Sequence, residues 1–265
     1  MIVAVFQGPA GGADFLSALA DAAARANGAD LLICPEMATT GYNIGEAAED
    51  LAEQADGPTA HRVAALCREH RIAIAYGYPE RDLGTVHNSV QLIDANGRTL
   101  ANYRKTHLFG DLDKAHFSPG DRAVVQARLG ELTVGLLICY DVEFPEMVRA
   151  HALAGTELLV VPTALMRPFE IVADVVVPAR AYESQVFLAY ANRCDVEGEL
   201  DYCGRSVVMA PDGTELARAG SGEELLRATV DPARLTASRR ENTHLADRRP
   251  ELYKKLELSE REPEA

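Results

Sequence analysis

Three stretches of this sequence end on a reactive side chain just as an apolar or strand-like run gives out. "LLICPE" (31–36) delivers the carboxylate of Glu36, "NYRKTHLF" (102–109) the ammonium of Lys105, and "LLICYD" (136–141) the thiol of Cys139. Strand ends are where open α/β sheets hold their ligands. A carboxylate, an ammonium and a thiol are also the set that acyl transfer needs. A free thiol is only slightly ionised near neutrality, so it requires a base within hydrogen-bond reach, a neighbouring cation, or both. Glu36 is suited to take the thiol proton, hand one to a departing amine and later accept one from the hydrolytic water. Lys105 and the backbone N–H of Tyr140 would face the oxygen that turns negative in a tetrahedral intermediate. No histidine is required. Taken singly, each residue has a plainer reading: a salt-bridged carboxylate under a loop, a solvated end-of-strand cation, a buried core thiol.

The composition narrows the class of partner. Forty acidic residues against twenty-six basic ones leave a formal charge of −14, which by Coulomb repulsion disfavours nucleic acid and anionic membranes as partners. A small, neutral or cationic molecule fits better. The start "MIVAVFQGPAGG" has no basic segment and only a short apolar run, so neither a signal peptide nor a membrane span is expected, and a cytoplasmic location is. The five cysteines, Cys34, Cys67, Cys139, Cys194 and Cys203, are odd in number, widely spaced and lack a CxxC pair. They read as reduced thiols, without a disulfide framework or a zinc knuckle. There is no HExxH and no Gly-rich phosphate loop, so no metal or nucleotide cofactor is expected.

The elements that must position the three groups alternate along the chain. "IVAVFQ" (2–7) reads as a strand. Asp14 to Ala26 reads as a helix with Leu16, Leu19, Ala20 and Ala23 on one face, stopped by Asn27-Gly28. The strand "DLLICP", a helix opened by Pro58 and carrying Val63, Leu66 and Cys67, and the strand "RIAIAYGYPE" complete a βαβαβ order. Two strands, "NSVQLID" and "RTLANYRK", then meet through Ala95-Asn96-Gly97, a hairpin signal. The pattern recurs where "SVVMA" and "TELARA" flank Pro211-Asp212-Gly213. Between them lie a helix over 145–154, the strand "ELLVVP", a helix near 168–182 and the strand "VFLAYAN". The arrangement suggests a pseudo-symmetric pair of mixed sheets with helices outside them. No linker divides the chain, so one domain over 1–256 is expected, with a charged, loose tail over 257–265.

The segments "CPEMATTGYN", "NSVQLIDANGRTLANYRKTHLF", "FSPGD" and "GLLICYDVEFPE", in this order and continued by "PTALM" and "DRRPELY", resemble the nitrilase superfamily of carbon–nitrogen hydrolases. The resemblance spans nearly the whole chain. It implies an α/β fold, a four-layer αββα sandwich, commonly assembled into homodimers or higher homo-oligomers. It also implies a Glu-Lys-Cys triad mapping onto Glu36, Lys105 and Cys139, and a thioester route without a cofactor. A second acidic residue, usually Glu, follows the lysine in the family. Here the matching loop reads "GDLDKAHF", and Asp113 is the best match, with Asp111 the alternative. Asp is one methylene shorter, so either the loop sits closer, or the supporting role has moved to Asp111, or both are ordinary solvated loop charges.

Within the superfamily, nitrilases usually carry Trp-Glu after the nucleophile, whereas Tyr140-Asp141 here is similar to the amidase and carbamoylase branches. "EMATTGYNIG", "YGYPE" and "NYRKTHLFGDLDKAHFSPG" are most similar to bacterial amidases that convert 5-aminopentanamide to 5-aminopentanoate. That substrate is a cation, which suits an acidic protein. Tyr42, Asn43, Thr163, Ala164 and Met166 are candidate pocket residues in loops near the site, or else structural loop residues. The reading is therefore hydrolysis of a small linear aliphatic or ω-amino amide. A nitrilase, an N-carbamoyl amidohydrolase or a catalytically silent binding protein on the same scaffold are the alternatives.

Overall fold

The computed structural model describes residues 1–11 and 14–253. The charged segment 257–265 lies outside the described residues. The first half of the chain runs β1 (Ile2–Gln7), α1 (Phe15–Arg25), β2 (Leu31–Ile33), α2 (Ala48–Leu51), α3 (Pro58–His70), β3 (Ala73–Asp82), β4 (Thr85–Ile93), β5 (Thr99–Arg104) and α4 (Gly110–Lys114). The second half continues with β6 (Gln126–Leu129), β7 (Leu132–Leu136), α5 (Pro145–Leu153), β8 (Leu158–Pro162), α6 (Val177–Ser184) and β9 (Phe187–Ala191). A short ribbon, β10 (Val196–Glu197) and β11 (Leu200–Asp201), precedes β12 (Val207–Met209), β13 (Glu215–Arg218), β14 (Glu224–Thr229), α7 (Pro232–Glu241) and α8 (Pro250–Tyr253).

Two six-stranded mixed sheets result, ordered β14-β1-β2-β3-β4-β5 and β13-β12-β9-β8-β7-β6. In each sheet the helix-linked strands pair in parallel, β1 with β2 and β2 with β3, β7 with β8 and β8 with β9. Hairpins close the edges: β4 with β5 in one sheet, β12 with β13 in the other. Both hairpins follow the turns expected from Asn96-Gly97 and Asp212-Gly213, whose glycines adopt φ of +77° and +83°, a region that costs glycine little.

The period of two along each central strand sorts its side chains between layers. Val3, Val5, Leu31, Ile33, Ala73 and Ala75 join a core with Val134, Leu136, Leu159 and Val161 of the opposite sheet. Their neighbours Ala4, Phe6, Leu32 and Ile74 face away, against Phe15, Leu19, Ala22 and Ala23 of α1 and Val63, Ala64 and Cys67 of α3. Burial on both faces is why these strands read as continuous apolar runs. On the far side, α5 and α6 contribute Met147, Val148, Val177 and Ala181 to the same core as the second sheet. Helices therefore cover two stacked sheets, in an αββα order.

Some details depart from the sequence reading. The buried face of α1 is built on Phe15, Leu19, Ala22 and Ala23, so it is turned by about one position from the expected Leu16 and Ala20. The bulky Phe15 ring, 6.2 Å from the Tyr76 ring, draws that face inward. The helix expected from 168 begins as a π-helical turn at Val172–Val176 before α6. β6, paired with β7, and β14, which pairs antiparallel with β1, mix polar and apolar residues and were not expected as strands. All five thiols are free, and no helix among the described residues is long and apolar enough to cross a membrane.

Candidate active site

Glu36, Lys105 and Cys139 approach one another because three connections leave strands on the same side of the stacked sheets. Glu36 follows β2 and is carried over Gly77 of β3. A Cβ at Gly77 would lie 2.5 Å from the Met37 nitrogen and 2.9 Å from the Glu36 Cα, closer than side-chain carbons pack. The glycine thus leaves room for the Glu36 loop. The Glu36 N–H donates to the Thr163 carbonyl at 3.3 Å, tying this loop to the residue that follows β8 in the other sheet. Lys105 directly follows β5, its N–H donating to Asn88 of β4 at 2.8 Å.

The lysine ammonium is wholly enclosed. Lys105 Nζ donates to Glu36 Oε1 at 2.8 Å and to Asp113 Oδ2 at 2.7 Å, with all three side chains inaccessible to solvent. Asp113 sits in α4, and its Oδ2 also accepts the Phe109 N–H at 2.9 Å. A short helical turn carries the shorter acid up to the lysine, whereas Asp111 of the same turn is exposed. Asn88 Nδ2 donates to Glu36 Oε1 at 2.7 Å, an anchor not apparent in the sequence. Glu36 Oε2 has no hydrogen-bond partner among the described residues.

Two carboxylates around one ammonium leave an excess of negative charge in a buried space. Burial pushes the Glu36 carboxyl above its ordinary range, the Lys105 charge pulls it back, and Asp113 raises it further. Burial works against the Lys105 cation, but Glu36, with Tyr42 and Asp113, outweighs it and lifts its pKa well above the ordinary lysine value. Lys105 is therefore held charged, while Glu36 has an enhanced affinity for a proton.

Cys139 lies three residues beyond β7, at the start of a 3₁₀ turn spanning Cys139–Glu143. Its φ of +44° is a left-handed conformation that side-chain-bearing residues adopt at a cost of about 1–3 kcal/mol when the surroundings impose it. Asp141 does so. Its buried carboxylate accepts the Ile138 N–H at 3.2 Å and the Tyr103 hydroxyl at 2.9 Å through one oxygen. The other accepts the Thr106 hydroxyl at 2.8 Å and the His107 N–H at 2.9 Å. One side chain thus fastens the turn bearing Cys139 to the segment bearing Lys105. The His107 ring, whose Nδ1 is also 2.9 Å from Asp141, stacks on Phe144 at 3.8 Å.

The Cys139 thiol is pushed well above its usual range. Burial is the main cause, followed by the charge of Glu36; the charge of Lys105 acts in the opposite sense.

Cys139 opens into a cavity of about 250 Å³ lined by Tyr42, Phe109, Tyr140, Glu143, Ala164, Leu165, Met166 and Phe169. This is below the roughly 300–1,000 Å³ of pockets for drug-sized ligands. Of the pocket residues expected from the sequence, Tyr42, Ala164 and Met166 are on this wall. Thr163 stands behind it, its hydroxyl donating to Tyr190 at 2.9 Å. Asn43 is exposed, off the cavity wall, with its N–H on Glu197 at 3.0 Å. The aromatic wall and Glu143 were not anticipated. Phe109 and Phe169 are sixty positions apart and meet edge to face at 5.9 Å, with no shared sequence signal. Arg180 and Glu183 form an i, i+3 ion pair in α6, at 2.9 Å.

The sequence profile of the carbon–nitrogen hydrolases matches residues 3–240. A protein of Pseudomonas protegens described as "Hydrolase in pqqF 5′region" is 51% identical over 261 residues, covering 97% of this chain and 92% of its own length. An (R)-stereoselective amidase of a Pseudomonas species is 36% identical, covering 83% of this chain and 80% of the relative. Among solved structures, an amidase from Nesterenkonia superposes with a TM-score of 0.86 at 37% identity, covering 96% of this chain and 95% of that one. In other solved forms of that amidase, its active-site cysteine carries added acrylamide or the acetamide moiety of fluoroacetamide, and one form is a complex with butyramide.

Proposed function

This chain belongs to the carbon–nitrogen hydrolase family, and from that premise we infer that it is an amidase hydrolysing small linear amides through a thioester on Cys139. The carrying observation is the enclosed Glu36–Lys105–Asp113 constellation beside a thiol that faces a small, mostly apolar cavity.

In this reading, Glu36 removes the Cys139 proton as the sulfur attacks the amide carbon. The carbonyl oxygen becomes an oxyanion facing Lys105 Nζ and the Tyr140 N–H, each donor contributing a few kcal/mol in such a site. The intermediate collapses as Glu36 returns its proton to the nitrogen. The C–N bond breaks, ammonia leaves and an acyl thioester remains. A water, deprotonated by Glu36, then attacks the thioester carbon. The C–S bond breaks, the carboxylic acid departs, and the sulfur regains a proton from Glu36. The raised proton affinity of Glu36 supports this shuttle, since a base matched to its task must hold a proton and release it within one turnover. Asp113 orients Lys105 and keeps it charged.

The small cavity and the likeness to amidases support short-chain amides, and we include 5-aminopentanamide among the substrates. Ammonia release from a series running from acetamide to hexanamide and 5-aminopentanamide tests the reading. Folded Cys139→Ala is expected to release none, and the wild type stalled with substrate to carry the acyl mass on Cys139. Full activity in the alanine variant would reject the nucleophile, and turnover of matched nitriles faster than amides would reassign the reaction.

A further inference from the structure

Glu143 is the one charged side chain on the cavity wall among the described residues. Its backbone carbonyl is used, accepting Arg180 Nη2 at 2.7 Å. Its carboxylate makes no hydrogen bond or ion pair with any described residue. The cations that influence it are Arg180 and Lys105, and both are engaged elsewhere. Arg180 Nη1 pairs with Glu183 at 2.9 Å, while its Nε and Nη2 donate to the Val142 and Glu143 carbonyls. Lys105 is held between Glu36 and Asp113. A half-buried carboxylate among aromatic and aliphatic walls is thus left without a counter-charge, an arrangement that costs stability and that an arriving cation would offset.

The surroundings favour such a cation further. Phe109 packs edge to face against Tyr140 at 5.3 Å and against Phe169 at 5.9 Å, offering ring faces that attract an ammonium. Cys139 and Glu143 open and close the same 3₁₀ turn, which at a rise of about 2 Å per residue separates their backbones by roughly 8 Å. A chain of four methylenes between an amide carbon and an ammonium nitrogen spans about 6 Å, comparable with that separation.

We propose that Glu143 is a specificity-determining residue. Its carboxylate receives the ammonium of a primary amide whose far end is an alkylamine, and it disfavours amides ending in a carboxylate. The inference rests on the amide-hydrolysis reading above and assigns the end of the substrate remote from the reacting carbon.

The test compares 5-aminopentanamide with hexanamide, in which a methyl replaces the ammonium. In the wild type, kcat/KM favours the aminoamide. In Glu143→Gln that preference falls about ten- to a hundredfold, chiefly through KM, as expected for losing a charged hydrogen bond. Glu143→Asp, which keeps the charge, retains part of it. Direct binding of the two amides to Cys139→Ala, with and without Glu143→Gln, gives the same comparison without turnover. A preference unchanged within about twofold in both measurements would overturn the role of Glu143 and leave the amidase reading standing. If the wild type released ammonia from neither amide, the amidase reading would fall. The binding arm would then still decide, since loss of ammonium preference with Glu143→Gln supports the site and equal binding throughout overturns it.

Discussion

Replacing Asp113 with Asn tests whether the second carboxylate sets the proton affinity of Glu36. The substitution keeps an oxygen able to accept from Lys105 and from the Phe109 N–H, so it chiefly removes one negative charge. Both carboxylates hold the same ammonium, at 2.8 Å and 2.7 Å. Their bonded oxygens can therefore stand no more than about 5.5 Å apart. At about 5 Å and an effective dielectric constant near 20, their repulsion is about 3 kcal/mol. Asp113 raises the Glu36 pKa, so removing its charge lowers it, and Glu36 remains an ionised base to lower pH. The acid limb of the kcat/KM profile, which reports the base of the free enzyme, should move toward acid. The plateau should fall about tenfold or more, because a weaker base takes the thiol proton less readily. Ammonia release from butyramide across the pH range, with a melting curve to verify folding, provides the measurement. An acid limb unmoved in a folded Asp113→Asn protein would refute the coupling between the two carboxylates.

Two further outcomes follow from buried groups. Asp141→Asn should lower kcat more than it raises KM and cost about 3 kcal/mol of stability in urea unfolding, because an amide cannot accept from the same set of donors at Ile138, Tyr103, Thr106 and His107; wild-type kcat in the folded variant would show that the turn does not depend on Asp141. His151 is buried, with Nε2 unpartnered among the described residues, and burial holds it down to about 4. Its unfolded pKa is near 6.5, so the unfolded chain binds a proton that the folded state refuses, and stability is lost as pH falls from about 6.5 toward 4. This contribution is about 2 kcal/mol between pH 7 and pH 5; equal slopes for the wild type and His151→Gln in urea unfolding over that range would contradict it.

Asp141 also shows how function and fold share residues here. Its carboxylate is consumed by donors from both the turn that opens at Cys139 and the segment after Lys105, so the relative placement of Cys139 and Lys105 does not rely on loop contacts alone. Gly77 acts similarly through absence of a side chain, letting the Glu36 loop cross β3.

What the sequence determined by itself was local or serial. Continuous apolar runs marked strands buried on both faces, Asn-Gly and Asp-Gly marked the hairpins, and reactive residues at three strand ends marked the candidate triad, because each signal lies within a few consecutive residues. Edge elements such as β6 and β14 were not legible, since strands with one wet face and short length resemble loops. The choice between Asp113 and Asp111 as the group beside Lys105, the anchoring of Glu36 by Asn88, the clamp formed by Asp141 and the unpaired carboxylate of Glu143 were decided only by the tertiary structure. Each depends on which groups meet across distant segments and on what water is excluded when they do, and neither quantity is written in sequence spacing.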